Sequence, residues 1–382
     1  MLAAFAFNTT ENLPIGLLRL ISVDLRVSLP AVGLLVTGYG VTVAVMSLPV
    51  AQMTRALPRR HLLTGLLAVF ALSSWAPVAC GRSYPALLAA RLATALAQAL
   101  FWAVSGPVAV GLFPPARRGR IIGLVSVGGS LAQVLGVPAG TWLGGRYGWT
   151  TPFVVLGGAG CVALAVIALL LPTTPPDRGH AVRGSEPDAR RFTAVLLTTA
   201  LSAAGVFTGF TYLTAFLSDV ARFPGGAVSM LLSVYGGAGF AAVVLAGPLL
   251  DRFPRALPVL LVAGQTAGLC GLYAAGGHGR GVTVGALVLL GVSMGPFFMA
   301  TQNLVFRAAP GRTELGLAGN SAAFNVGVAV GASTGGVLLP AVGVRGAFLV
   351  GGLLTALALA VLAGPGRPPR PAGDRAAAVP AE

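Results

Sequence analysis

Apolar residues fall in long blocks along this chain, and each block is closed by a short stretch rich in Arg, Pro, Gly or Asp. The blocks run to roughly 18–25 residues, the length a helix rising 1.5 Å per residue needs to cross about 30 Å of hydrocarbon. Helices are predicted near residues 1–20, 31–52, 62–80, 84–112, 121–144 and 149–171, then 193–217, 227–249, 257–276, 282–306, 315–340 and 345–363. A bilayer offers the backbone no water, so segments that satisfy their own N–H and C=O groups are the solution this pattern requires. The first block lacks the charged leader and small-residue cleavage site of a signal peptide and is expected to remain as a span.

Between the sixth and seventh blocks, residues 172–191 are rich in Pro, Arg and Asp and read as a solvated linker. The linker joins a first bundle at 1–171 to a second at 192–363, and residues 364–382 read as a disordered tail. The bundles echo one another. Leu57-Pro58-Arg59 corresponds to Phe253-Pro254-Arg255, and Gly136 to Gly140 with Phe153 corresponds to Gly331 to Gly335 with Phe348, at an offset close to 195 residues. The expected fold is therefore an all-α membrane protein of twelve transmembrane helices, its two six-helix bundles related by a pseudo-two-fold axis.

Charge adds orientation. Of all residues 55% are hydrophobic and only 9% charged, against about a quarter in soluble domains. The net charge of +15 comes from arginine alone. Arg55, Arg59, Arg60, Arg117, Arg118, Arg120, Arg252, Arg255, Arg307 and Arg312 all fall in alternate loops, with more in the linker and tail. This bias predicts a multi-pass protein of the cell membrane with both termini cytoplasmic. No basic helix or aromatic-interleaved patch exists to grip a phosphate backbone, so nucleic acid is not an expected partner. Cys80, Cys161 and Cys270 stand apart from one another and have neither disulfide nor metal-ligand spacing, and no cofactor motif occurs.

Candidate chemistry lies inside the spans. Glu11 is an acid deep in the first apolar block, where it must pair, protonate or face water. Such a group is a candidate for taking up and releasing protons. Asn8, Glu11, Asn12 and Ile15 share one helix face. Arg91 lies deep in the fourth block. Counted inward from the helix ends, Glu11 is roughly 14 Å and Arg91 roughly 10 Å deep, which permits them to pair. Thr94, Gln98 and Trp102 continue the Arg91 stripe, and Phe207, Thr211 and Thr214 form one on the seventh helix. Phe298, Thr301 and Gln302 of the tenth helix and Asn325 of the eleventh complete a candidate substrate cavity, although Ser, Thr and Asn also bond across membrane helices. Gly136, Pro138 and Gly140 remove side chains and a backbone donor, which permits close helix approach and a bend. Gly331-Ala332-Ser333-Thr334-Gly335 fits a nucleophile pattern, but no histidine lies in a span to serve as base, so it reads as a packing face and an enzyme is not expected.

Taken in order, these motifs resemble the major facilitator superfamily, and within it the twelve-span drug:proton antiporters close to the arabinose-efflux and chloramphenicol-resistance permeases. Thr9-Thr10-Glu11 with Gly16-Leu17-Leu18 is similar to that branch's acidic first helix, and Val32 to Tyr39 to its second. Arg91 matches the superfamily's intramembrane arginine. The run Leu135 to Gly144 matches the fifth-helix antiporter motif. The gating loop departs from the pattern: Arg55 and Pro58 stand where an Asp and a Gly are usual, with Arg59 following, whereas the second copy keeps its acid as Asp251-Arg252.

The resemblance implies proton-coupled efflux of a small amphipathic compound, a drug or sugar-like metabolite, by a chain for which a monomer suffices. A proton symporter or facilitator importing a nutrient is the alternative within the fold. A non-transporting receptor is the alternative outside it.

Overall fold

The computed structural model describes residues 1–54, 57–79, 83–111, 127–129, 131–172, 187–275, 279–310 and 313–364. They are helical almost throughout. In chain order the helices are α1 (Leu2–Leu25), α2 (Leu29–Thr54), α3 (Arg59–Ala79) and α4 (Tyr84–Gly111). A π-helical turn, Ala132–Gly136, leads into α5 (Val137–Tyr147), and α6 spans Thr151–Leu170. The second half holds α7 (Ala189–Phe210), α8 (Gly225–Arg252) and α9 (Ala256–Ala275). Next comes α10 (Arg280–Met294), which resumes after Gly295 and Pro296 as Phe297–Ala308. The last helical run, Thr313–Ala363, is broken at Gly343 (φ 66°) into α11 at 313–342 and α12 at 344–363.

Among the described residues, nine helical runs are long and apolar enough to cross a bilayer, the one from Gly316 to Ala363 covering two spans. The first helix is not among the nine, since it carries Asn8, Glu11, Asn12 and Arg19. Fourteen of its 24 residues are buried. Protein, more than lipid, surrounds α1, so it tolerates polar groups that a peripheral span could not.

Several element boundaries differ from the sequence expectation. Helix α7 begins at Ala189, inside the stretch read as linker, because Asp188 caps it by accepting hydrogen bonds from the backbone N–H groups of Arg190 and Arg191 (2.9 and 3.2 Å). It then breaks at Thr211 and Tyr212 before continuing through Leu213–Ala215 and a π-helical turn, Phe216–Val220. The bulk of the linker, the tail beyond 364 and Arg55 lie outside the described residues.

Glycine rows set the helix packing. A Cβ on Gly136 would overlap Thr9, one on Gly140 would meet Leu13 Cδ1 at 2.5 Å, and one on Gly144 would overlap Leu17. Three glycines one turn apart thus bring α5 onto α1. In the second half Gly331 and Gly335 of α11 lie against the carbonyls of Ala204 and Thr208 on α7. All four residues stand 195 positions beyond their counterparts Gly136, Gly140, Thr9 and Leu13, so the sequence echo is also a repeated contact. Ser333, between Gly331 and Gly335 in sequence, faces α2 instead: its hydroxyl donates to Ala329 O of its own helix (2.7 Å) and lies 3.1 Å from Thr37 Oγ1.

The halves meet at one end. Ile15, Val36 and Val137 of the first half join the apolar cluster of Phe207, Phe210, Leu213 and Phe216 of the second. Tyr212, fully buried, enters a notch between the halves: its hydroxyl donates to Ala332 O (3.2 Å), and a Cβ on Gly33 would overlap that hydroxyl. Thr214 donates to Ile15 O (2.9 Å), and Arg19 pairs with Asp219 at the rim.

Candidate functional site

Glu11 sits near the middle of α1, one helical turn before Ile15, where the halves seal. Its Oε2 accepts a hydrogen bond from Gln98 Nε2 of α4 (2.6 Å). The Gln98 amide is oriented by Tyr39 of α2, whose hydroxyl donates to Gln98 Oε1 (2.5 Å). With Oε1 occupied as acceptor, the amide's N–H groups are the ones that face the acid. Glu11 and Asn8 are half-buried, while Tyr39 and Gln98 are buried. The carboxyl is therefore both held and accessible.

Arg91 is 2% exposed and lies beside Glu11, yet it reaches α1 through the main chain. Nη1 donates to Thr10 O (2.6 Å) and Nη2 to Glu11 O (3.0 Å). The guanidinium also lies 4.4 Å from the centre of the Tyr39 ring, a cation–π contact. Pro14 supplies the reason for the first bond. Without an N–H it cannot bond the carbonyl four residues back, that of Thr10, and a carbonyl left bare amid hydrocarbon is costly. Depth permitted a Glu11–Arg91 pair; the structure has the guanidinium holding the backbone that carries the acid.

Around this centre the predicted cavity residues separate. Asn8 Nδ2 donates to Gly129 O (3.3 Å), Asn12 Nδ2 to Asn8 O (3.1 Å), and Trp102, 38% exposed, packs edge-on against Phe101. Gly129 lies against both Asn8 and Trp102. From the second half, Phe207 and Phe298 each pack on Phe324, with ring centroids 6.3 and 5.2 Å apart, and Phe207 continues through Phe210 to Tyr235. Gln302 is half-buried, and its Oε1 has no partner among the described residues.

Other predicted residues turn elsewhere. Thr94 bonds Ser73 of α3 (2.7 Å), Thr211 bonds Phe207 O of its own helix (2.6 Å), and Thr214 belongs to the seal. Thr301 accepts from Asn320 (3.1 Å), which in turn accepts from Thr199 (2.7 Å), tying α10, α11 and α7 together. Asn325 donates to Ser321 O (2.9 Å) and lies where α11 meets Gly40 of α2. Thr94, Thr214 and Thr301 thus serve contacts between helices, whereas the Thr211 and Asn325 side chains bond within their own.

Of the motif residues, Gly136 and Gly140 form the α1 contact described above. Pro138 cannot donate to Val134 O, and the turn before it opens into the π form, with Val137 N–H bonding Ala132 O. Arg59 is half-buried at the first residue of α3, Asp251 lies in the last turn of α8, and Arg252 is exposed over the Phe253 ring. Tyr39 was missed as a site residue, although it closes the fragment Val32 to Tyr39. Its role depends on α4 meeting α2, which periodicity within α2 does not reveal.

The Major Facilitator Superfamily model matches residues 1–314. The chain belongs to this superfamily. Superfamily members are secondary transporters rather than enzymes, and this one is a multi-pass membrane transporter of a small molecule. It is 31% identical over 359 residues to a protein named probable sugar efflux transporter from Mannheimia succiniciproducens, covering 94% of this chain and 90% of the relative. Its fold matches a nucleoside transporter (TM-score 0.73, 11% identity, 94% of this chain and 96% of the other). It also matches an inward-facing bacterial homologue of the human lysosomal transporter Spinster (TM-score 0.70, 15% identity, 94% and 95%).

Proposed function

We propose that this transporter exports a small sugar-like or amphipathic compound in exchange for protons, by alternating access. The observation that carries the reading is the Glu11 carboxyl, mid-span, accessible, held by Gln98 of another helix and one turn from the seal. An acid so placed changes charge at the cost of its hydrogen-bond pattern, and that change bears on the helix that closes the cavity. Substrate and proton compete for the same group, which makes the coupling an exchange.

The substrate class follows from the lining. One half offers Asn8, Glu11 and Trp102, and the other offers Phe207, Phe298 and Phe324. Aromatic rings with a few polar groups suit a polar ring compound that has an apolar face. The relative from Mannheimia succiniciproducens, by its name, supports both a sugar-like substrate and the outward direction. With both termini cytoplasmic, the Arg19–Asp219 rim faces outward and the Glu11 cavity opens to the cytoplasm.

Proteoliposomes with an imposed pH gradient test the proposal. Wild-type protein is expected to drive accumulation of a radiolabelled sugar against its gradient, and Glu11→Gln is expected to retain exchange of sugar for sugar while losing the pH-driven component. Undiminished gradient-driven accumulation in that variant defeats the mechanism.

A further inference from the structure

Away from Glu11, a groove of about 360 Å³ runs between α2, α3 and α4. Its walls are aliphatic, including Val50, Leu66, Val69 and Leu100, and the polar members of its lining, Thr54 and His61, lie together at one end. Val69 is eight residues along α3 from His61, so the groove reaches roughly 12 Å into the span. Val69 and Leu96 are each about two-fifths exposed (41% and 40%). The groove therefore opens on surface that a bilayer covers. Its volume matches the lower end of small-ligand pockets, and its shape is an apolar channel with one polar mouth.

The mouth has a sign. Leu57-Pro58-Arg59-Arg60-His61 carries two arginines and a histidine and no acid. Arg60 bonds the carbonyl of Ala168 on α6 (2.5 Å), while Arg59, at the first residue of α3, is two positions from His61. Thr54 spends its hydroxyl hydrogen on Val50 O (2.6 Å), which leaves a guanidinium fork and an imidazole, and these match a phosphate diester.

We infer that this groove holds one acyl chain of an anionic membrane phospholipid, whose phosphate rests at Arg59 and His61. A zwitterionic lipid supplies the chain but adds a cation to a mouth that is already basic. A second copy of the protein would need far more apolar area than one narrow groove provides.

Native mass spectrometry of the full chain, released from mild detergent after incubation with equal phosphatidylglycerol and phosphatidylethanolamine of matched chains, provides the test. One phosphatidylglycerol is expected to be retained, with about fivefold preference, since an arginine near a bilayer surface adds roughly a factor of five. Gly65 lines the groove and a Cβ there meets nothing within 4 Å, so Gly65→Leu directs its side chain into that space. It is expected to lower the retained lipid about tenfold, and Val69→Phe does the same from the exposed lip. Arg59→Gln with His61→Gln keeps a lipid but loses the preference. Equal retention of the two lipids by wild type overturns the inference. So does undiminished retention in both filling variants, or an adduct whose mass is that of detergent or of a second chain.

Discussion

Arg91 supplies the hydrogen bond that Pro14 denies to the carbonyl of Thr10. An intramembrane arginine is thereby explained by a proline on another helix. Arg91→Met is expected to leave a buried carbonyl bare and to destabilise the protein by about 1–3 kcal/mol. In a Pro14→Ala background the helix can make its own bond, and most of that loss disappears. Thermal unfolding in detergent measures both. Equal loss in the two backgrounds disproves the relationship.

Tyr39 orients the Gln98 amide toward Glu11. Tyr39→Phe frees that amide to rotate at a cost of about 1 kcal/mol, so pH-driven transport is expected to fall roughly fivefold with little change in stability. Gln98→Leu removes the donor itself and is expected to cost more. Flux measured over a series of pH values checks the order of the two variants.

Gly33 leaves room for the Tyr212 hydroxyl at the seal. Gly33→Ala is expected to disfavour the closed end by about 1–3 kcal/mol, the usual penalty of overpacking. Spin labels on the loops after α1 and α7 should then report a wider separation. Adding Tyr212→Phe removes the clashing oxygen and is expected to restore part of the wild-type distance.

The Arg19–Asp219 pair at the same end is half exposed. Exposed pairs contribute about 0–1 kcal/mol and are screened by salt. Neutralising either partner is expected to change that inter-loop distance distribution far less than Gly33→Ala does. A larger effect from Arg19→Gln would mean that the rim, not Tyr212, holds the end shut.

The repeated glycine contact gives an asymmetric expectation. A Cβ on Gly140 meets the tip of the Leu13 side chain, whereas one on Gly331 meets the backbone carbonyl of Ala204. Side-chain ends can move and backbone cannot without shifting a helix, so Gly331→Ala is expected to lower the unfolding temperature more than Gly140→Ala.

Much of this was legible in the sequence. Block length gave the spans, because hydrocarbon thickness fixes helix length, and the offset of 195 located the glycine rows that pack α5 on α1 and α11 on α7. Glu11 and Arg91 stood out because charge is rare at that depth. The contacts of Thr94, Thr211 and Thr214 were not legible. A threonine in a membrane helix can return its hydroxyl to the preceding turn or reach a neighbour, and composition does not distinguish these. Break points were also hidden: Thr211 and Tyr212 carry no glycine or proline signal, while Asp188 is a capping residue whose position inside a polar stretch masked the start of α7.

Ile15 follows Glu11 by four residues on an unbroken helix, with Pro14 between them. The ionisable group and the gate are therefore mounted on one short shaft. In the proposed exchange, turning that shaft to open the passage disturbs the acid's bond to α4 and loading the acid bears on the passage, so that mechanism requires no relay through distant residues.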